Sequence, residues 1–401
     1  MVEPSQPMEA TDDDSDNMAK VTEEEGTQDR GELWPQLLPE LLRLIYRNLP
    51  DTGDFVRFRA VCTAWRDAAP ASDPPAQLPW IIQLGHRTQG VLARPRLRFH
   101  SHTSGRTYHV GVGGRRSMLL AHGAFQGYAV AALDLSATIL YNPFTGERRA
   151  LPPSPPYLKW SKYKVPGVFS VVSDGAAGCV VVNTCTRTRH FAYCRPGVDA
   201  RWSVFNRRQN LRANAYHGGR FYANTATRAT LAIDPATGDV EAEVQRPLGE
   251  KFRSARGDYL VGGSSSTRGT KKKLLRAVKQ PRCATQAPEE TDLCFNVYQL
   301  DVPRAAAGGI KAAAWTKVDT IGDAVLFIDD HGHGFALEPN DAAGLRRDCV
   351  YFMHVSWTWG CEYRFLCRYS MEDGRVDKAV PLGETFGETW VLPSLCHSDD
   401  Q

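Results

Sequence analysis

Two hydrophobic periods divide the chain. From Leu38 to Leu49 the apolar residues Leu38, Leu41, Leu42, Ile45 and Leu49 follow the i, i+3, i+4, i+7, i+11 stripe of an amphipathic helix. Pro39 suits the first turn, where its missing N–H has no intrahelical partner, and Pro50 stops the helix. A second helical stretch is predicted from about Asp54, with Phe55, Phe58, Val61, Cys62 and Trp65 on one side. Pro70, Pro74, Pro75 and Pro79 then read as a linker. Beyond about residue 80 the pattern changes to short β-rich runs between Gly, Pro, Asn and Asp turns. Examples are Tyr128-Ala129-Val130, Ile139-Leu140-Tyr141, Cys179-Val180-Val181-Val182, Phe221-Tyr222-Ala223 and Val350-Tyr351-Phe352. No long helical period interrupts them, which is the spacing of an all-β sandwich, barrel or propeller.

A repeated turn selects among these. Asn142-Pro143-Phe144-Thr145-Gly146-Glu147 follows Thr138-Ile139-Leu140-Tyr141, and Asp234-Pro235-Ala236-Thr237-Gly238-Asp239 follows Thr230-Leu231-Ala232-Ile233. Asn or Asp before Pro opens a turn, and Gly supplies the positive φ that returns the chain. Met371-Glu372-Asp373-Gly374 follows a third strand-like run, Phe365 to Tyr369. The first two glycines are 92 residues apart and the third lies 136 further on, both near multiples of about 46 residues. Four-stranded propeller blades repeat at that length. The expected fold class is therefore α plus all-β: a small helical module over about 33–75, then a closed β-propeller of six or seven blades over about 80–395.

Charge sharpens the division. Residues 1–30 hold ten Asp/Glu against Lys20 and Arg30, while the whole chain of 401 residues carries a net +3. The acidic segment 1–31 has no aromatic residue to bury and is expected to be disordered. It has neither the basic nor the apolar region of a secretory signal. The remainder is mildly basic without the dense basic stripe that nucleic-acid binding calls for. No run of about 18 apolar residues suggests a membrane span. None of the ten cysteines forms a C-x-x-C pair, and no N-x-[ST] sequon occurs. Reduced thiols in the cytoplasm or nucleus are the expectation. Lys271-Lys272-Lys273 reads as solvated loop charge rather than a nuclear address.

A helix pair of about 35 residues has too little core to stand alone and must pack on its own body or on a partner. The residues themselves suggest which. Leu38-Pro39-Glu40-Leu41-Leu42-Arg43-Leu44-Ile45 through Leu49-Pro50, then Val61-Cys62-Thr63-Ala64-Trp65-Arg66, resembles an F-box. The shared features are a Leu-Pro opening, a Leu/Ile stripe, a second Leu-Pro and a Val-Cys-x-x-Trp-Arg ending. The resemblance implies a surface facing an SKP-type adaptor, formed with Leu38, Pro39, Ile45, Leu49, Pro50 and Trp65. The stripe adds Leu42 and the ending adds Val61. Core packing is the competing reading for Leu41 and Trp65.

The rest of the chain is similar to plant F-box proteins of the KIB type, with the domain of unknown function 295. The matching pieces are Tyr141 to Arg148 with Leu151-Pro152-Pro153, Tyr216 to Tyr222, Val297 to Asp301, Ile321 to Phe327 and Cys349 to Phe352. They run in the family's order over roughly 80–395. The stretch from Gly262 to Pro288 departs from it and reads as a long insertion or strand-connecting loop.

Catalytic signatures are absent from the sequence: no G-x-S-x-G elbow, no H-E-x-x-H and no G-x-x-x-x-G-K-[ST]. Gly111 to Arg116 begins like a dinucleotide loop but ends in Arg, where the fingerprint needs a small residue. His331, His333, Cys349, Cys361 and Cys367 fit no standard zinc spacing. No catalytic residue, metal ligand or cofactor is assigned. Two function classes remain. One is a substrate receptor, its F-box reaching cullin and RING subunits through the adaptor and its β domain gripping a target protein. The alternative is a propeller enzyme or small-ligand binder capped by the helices.

Overall fold

The computed structural model describes residues 37–49, 51–75, 79–84, 96–101, 104–111, 127–132, 138–153, 168–173, 179–185, 190–206, 211–247, 255, 257–263, 273–282, 292–302, 309–329, 332, 334–338, 345–358, 361–382 and 386–393. The acidic segment 1–31, Pro50, Lys271, Lys272, His331 and His333 lie outside them.

Three helices come first: α1 (Pro39–Arg47), α2 (Thr52–Arg59) and α3 (Thr63–Ala68). Pro39 occupies the first turn of α1, as expected. The second helical stretch is two helices, not one. Asp51 caps α2, its side chain accepting the Asp54 amide, and α2 ends at Arg59. Cys62 is extended and starts α3. The break lets α3 return across both other helices, which a continuous helix could not do.

Among the described residues from Trp80 on, strands and turns make up the structure, apart from one short 3-10 helix, Gly309–Ala312. The first group is β1 (Trp80–Leu84), β2 (Arg96–Ser101) and β3 (Thr107–Gly111). Next come β4 (Ala129–Ala132), β5 (Thr138–Tyr141) and β6 (Arg148–Ala150), then β7 (Val168–Ser173), β8 (Cys179–Cys185), β9 (His190–Cys194) and β10 (Ser203–Asn206). A fourth group is β11 (Leu211–His217), β12 (Arg220–Thr225), β13 (Thr230–Ile233) and β14 (Val240–Val244). A fifth is β15 (Gly257–Gly263), β16 (Leu274–Pro281), β17 (Leu293–Asp301) and β18 (Ala314–Val318). The sixth is β19 (Val325–Ile328), β20 (Gly334–Leu337), β21 (Cys349–Thr358), β22 (Cys361–Ser370) and β23 (Arg375–Pro381), followed by β24 (Phe386–Val391).

Each group is one blade. The last two share a nine-stranded sheet only through a short parallel bridge, Gly262 with Phe335 and Gly263 with Ala336. The ring is closed by β24, which pairs antiparallel with β1 and completes the first blade. Its Trp390 indole donates to the Ile328 carbonyl at 3.0 Å, tying the first blade to the sixth.

The hydrophobic core lies between blades. Trp80 and Phe99 meet Ile139 and Tyr141 from the next blade. Val182 and Phe191 meet Leu211 and Phe221. Tyr222 and Ala232 meet Leu260 and Leu274. Phe295 and Val297 meet Phe352 and Tyr369, and Phe327 and Tyr351 meet Ile81 and Trp390. The first, fourth, fifth and sixth blades thus meet a neighbour on each face, and β5, β13 and β19 are buried along their whole length. That is why these strands read as continuous apolar runs rather than alternating ones.

The repeated turns are real and share one construction. Gly146 has φ 77° and donates its amide to the Asn142 carbonyl; Gly238 has φ 74° and does the same to Asp234. The Asn142 and Asp234 side chains accept amides two residues on, from Phe144 and Ala236. The Thr145 and Thr237 hydroxyls accept the Glu147 and Asp239 amides. Both turns join the last two strands of a blade, as does Gly374 between β22 and β23. The 136-residue gap to Gly374 spans two blades, not three: the last two blades are larger, with β16, β17, β21 and β22 8 to 10 residues long and a fifth strand in the sixth. Six blades result among the described residues.

Alanine at either glycine is expected to destabilise the fold by about 1–2 kcal/mol, the cost of a Cβ in the left-handed region. Gly238→Ala should cost more, because its Cβ would land on the Phe205 ring, whereas Gly146 faces open space. Urea unfolding of the two variants checks this; equal losses would contradict it.

The stretch from Gly262 to Pro288 is not a single loop. Its centre is β16, buried from Leu274 to Lys279 and paired on both sides, with β15 and β17. Two of the positive charges that suggested a loop, Arg276 and Lys279, are enclosed, while Lys273 and Arg282 are exposed. Arg276 is wholly buried on a carboxylate, and Lys279 donates to the Met353 carbonyl at 3.3 Å and lies 5.6 Å from the centre of the Phe352 ring.

Candidate functional site

The helical module has a core of its own. Leu42 and Tyr46, one turn apart on α1, point inward onto Phe55 and Phe58 of α2 and onto Ala68 and Ala69. The Tyr46 and Phe55 rings are 5.5 Å apart, and Trp65 lies 4.4 Å from Phe58. Leu37, Leu49 and Trp65 pack half-buried against the margin of this cluster. A polar tie holds the far end of α1. The Tyr46 hydroxyl donates to Asp73 at 2.8 Å, and Arg47 reaches the same oxygen at 3.0 Å. Those two donors hold the Asp73 carboxyl below the ordinary aspartate range, while burial and Asp73 together push the Tyr46 phenol up.

The other half of the α1 stripe is uncovered. Leu38 is 62% exposed, Leu41 45%, Leu44 61% and Ile45 40%. At 100° per residue these positions cover an arc of roughly 120° beside the buried one. Val56 on α2 and Val61 between α2 and α3 are also exposed. Nine large apolar side chains are exposed among the described residues, and these six all fall between Leu38 and Val61. Scattered exposed apolar residues are ordinary; a concentration in one small module is the kind of surface found at interaction sites.

Of the residues assigned from sequence, Leu38, Pro39, Ile45 and Val61 lie outside. Leu42 does not: at 1% exposure it belongs to the module's core and cannot touch a partner. The stripe is wider than one face, and the core takes the half that meets α3. Leu49 and Trp65 are half-buried, so each offers only an edge. Pro50 lies outside the described residues. Leu41, for which core packing was the competing reading, is exposed instead, and Leu44 and Val56 were missed. The run Leu41-Leu42-Arg43-Leu44-Ile45 carries the signal for Leu44, since four apolar residues in five exceed what one buried face requires.

The propeller offers no comparable chemistry among the described residues. No group of three or more His, Cys, Asp or Glu side chains there could hold a metal ion. Cys349 and Cys367 sit in the core, and burial pushes the Cys349 thiol up to about 11. No described helix is long and apolar enough to cross a membrane.

Comparison with known proteins agrees with this architecture. Over 388 residues, covering 90% of this chain and 95% of the relative, the sequence is 22% identical to an Arabidopsis thaliana protein named as a candidate F-box protein. Among solved structures, TolB from Acinetobacter baumannii aligns with a TM-score of 0.42 and 12% identity, over 83% of this chain and 71% of that one. The N-terminal domain of BBS1 in complex with ARL6 aligns at 0.36 and 10% identity, over 73% and 75%. The family model described as the KIB1-4 β-propeller matches residues 99–377, from within β2 to within β23, which takes in part of the first blade and runs into the sixth. With more than half its length under that model and an F-box-like helical module ahead of it, the chain belongs to the KIB1-4 β-propeller family and is of the KIB/F-box type.

Proposed function

We propose that this chain is the substrate-recognition subunit of an SCF-type cullin–RING ubiquitin ligase. The exposed face of α1 docks on an SKP-type adaptor, and the propeller holds a target protein. The observation that carries this reading is the gathering of six exposed apolar side chains in the helical module. The chain is then a receptor and not itself a catalyst. It works by position, holding a target lysine at high local concentration near the ubiquitin-loaded enzyme that the cullin and RING subunits bring. It acts in the cytoplasm or the nucleus, or in both.

A helical cap on a propeller enzyme would bury its apolar side against the body. Here the outer face of α1 is open, which favours the receptor reading. Reconstitution tests it. Purified chain, adaptor, cullin and RING subunits should co-elute as one assembly, and ubiquitin supplied with its activating and conjugating enzymes should be transferred to the chain or to proteins bound to it. A chain that elutes alone would defeat the proposal.

A further inference from the structure

Among the described residues, the helical module and the propeller meet in a polar joint at the start of α2. The Arg106 guanidinium, just before β3, donates to both oxygens of Asp54, at 2.8 and 2.9 Å. The Tyr108 hydroxyl, on β3, donates to Asp51 at 3.0 Å. Arg57 closes the group, bonding Asp54 at 2.8 Å with its guanidinium 5.8 Å from the centre of the Tyr108 ring. Between the two carboxylates sits Gly53, and a Cβ there would lie 2.6 Å from the Tyr108 oxygen. Gly53 does not have a positive φ. Its requirement is close approach, not backbone freedom.

The joint is anchored deep. The Tyr108 ring stacks on Trp80 with centroids 4.8 Å apart and planes 10° from parallel. Trp80 is buried in the core between the first two blades, on the strand that pairs with β24. The contact thus runs from the cap of α2 to the strand pair that closes the ring. Asp51 stays an anion there. Burial alone would raise its pKa, but hydrogen bonds from Ser104, the Asp54 amide, Tyr108 and the Gly53 amide outweigh it and hold the carboxyl below the ordinary range. A second carboxylate, a cation whose one nitrogen reaches both Asp54 oxygens and a stacked ring fix the approach in more than one direction, as a single pair could not.

We infer that Asp51, Gly53, Asp54, Arg106 and Tyr108 are positioning residues that lock the adaptor-facing module at one angle to the propeller. The inference rests on the receptor reading for its purpose, since a receptor works only if its target is presented at a defined place. The lock itself is a property of this chain alone. Two charged pairs at half-exposed positions contribute little to stability. Their effect is on orientation, because domains joined through small polar contacts move relative to one another unless held.

The test uses the full chain with genetically encoded spin labels at Arg43 on α1 and Glu243 on β14, both exposed. Pulsed electron resonance then reads the distance distribution between them. The unmodified joint should give one narrow peak. Gly53→Val, and separately Arg106→Ala combined with Tyr108→Phe, should broaden it about twofold or more, the behaviour of a released hinge. Helical content and melting temperature should stay nearly unchanged, which separates positioning from support of the fold. Arg106→Lys, which keeps a cation on Asp54, should restore the narrow peak. A broad peak in the unmodified chain, or an unchanged peak in the Arg106→Ala/Tyr108→Phe variant, would overturn the inference. Adaptor binding is measured on the same samples. Its failure in the unmodified chain would overturn the receptor reading while leaving the distance result to stand or fall alone.

Discussion

Leu38→Ala combined with Ile45→Ala should cost this chain about a thousandfold in affinity for an SKP-type adaptor. Both side chains project from α1 with their apolar surface open, at 62% and 40% exposure. Anchors of this kind lose about 2 kcal/mol or more each on truncation, or roughly 30-fold apiece. The two are seven residues, about two helical turns, apart, far enough for their losses to add. Neither contributes to the module's core, which is built from Leu42, Tyr46, Phe55 and Phe58. The double variant should therefore keep its helix signal and melting temperature. Leu42→Ala is the contrasting case. Removing a wholly buried leucine costs about 2–5 kcal/mol, which a core this small cannot spare. Adaptor binding would be lost there too, but together with the helix signal. Comparing the two by titration calorimetry and circular dichroism separates a lost contact from a lost fold.

The largest effect on stability is expected from Asp258. It lies on β15 of the fifth blade and pairs with Arg276 on β16 through two bonds, at 2.9 and 2.8 Å. Arg276 is 0% exposed. Its remaining donors cross to the fourth blade, reaching the Arg228 carbonyl at 2.9 Å and the Thr230 hydroxyl at 3.3 Å. Asp258 in turn accepts from Asn224 and Arg228 of that blade. Asp258→Ala leaves a buried guanidinium without its counter-ion, a loss of about 3–5 kcal/mol. The melting temperature should fall by roughly 10 °C. Replacing both partners, as Asp258→Leu with Arg276→Met, should cost less than the single change, because the fully buried Arg276 charge is no longer stranded and only the more exposed Arg228 loses its bond to Asp258. Thermal unfolding of the two variants decides it; a double variant as unstable as Asp258→Ala would contradict this account.

The same residues show how much was legible in the sequence. The Asn142 and Asp234 turns could be read because every group they need is local: a carboxylate or amide, a hydroxyl and a glycine within five residues. β16 could not be read, since what makes Arg276 and Lys279 tolerable lies elsewhere. Their partners, Asp258 and the Met353 carbonyl, are 18 and 74 residues away. Periodicity does not reveal a distant counter-ion. The two halves of the α1 stripe were indistinguishable for a related reason. Leu41 and Leu42 are neighbours in sequence, and only the packing of α2 and α3 against α1 decides which is covered. The joint at Asp51 and Asp54 was invisible too, because an acidic first turn is ordinary helix capping until Arg106 and Tyr108 are seen to meet it.

The central claim is that the open face of α1 is an adaptor site, and direct titration of the purified full chain with an SKP-type adaptor tests it. The expected result is a one-to-one complex. Leu38, Leu41, Leu44 and Ile45 should become protected from solvent on binding, and the affinity should collapse in the Leu38→Ala/Ile45→Ala variant. A folded chain that binds no adaptor, or one that binds equally well without those side chains, would contradict the account.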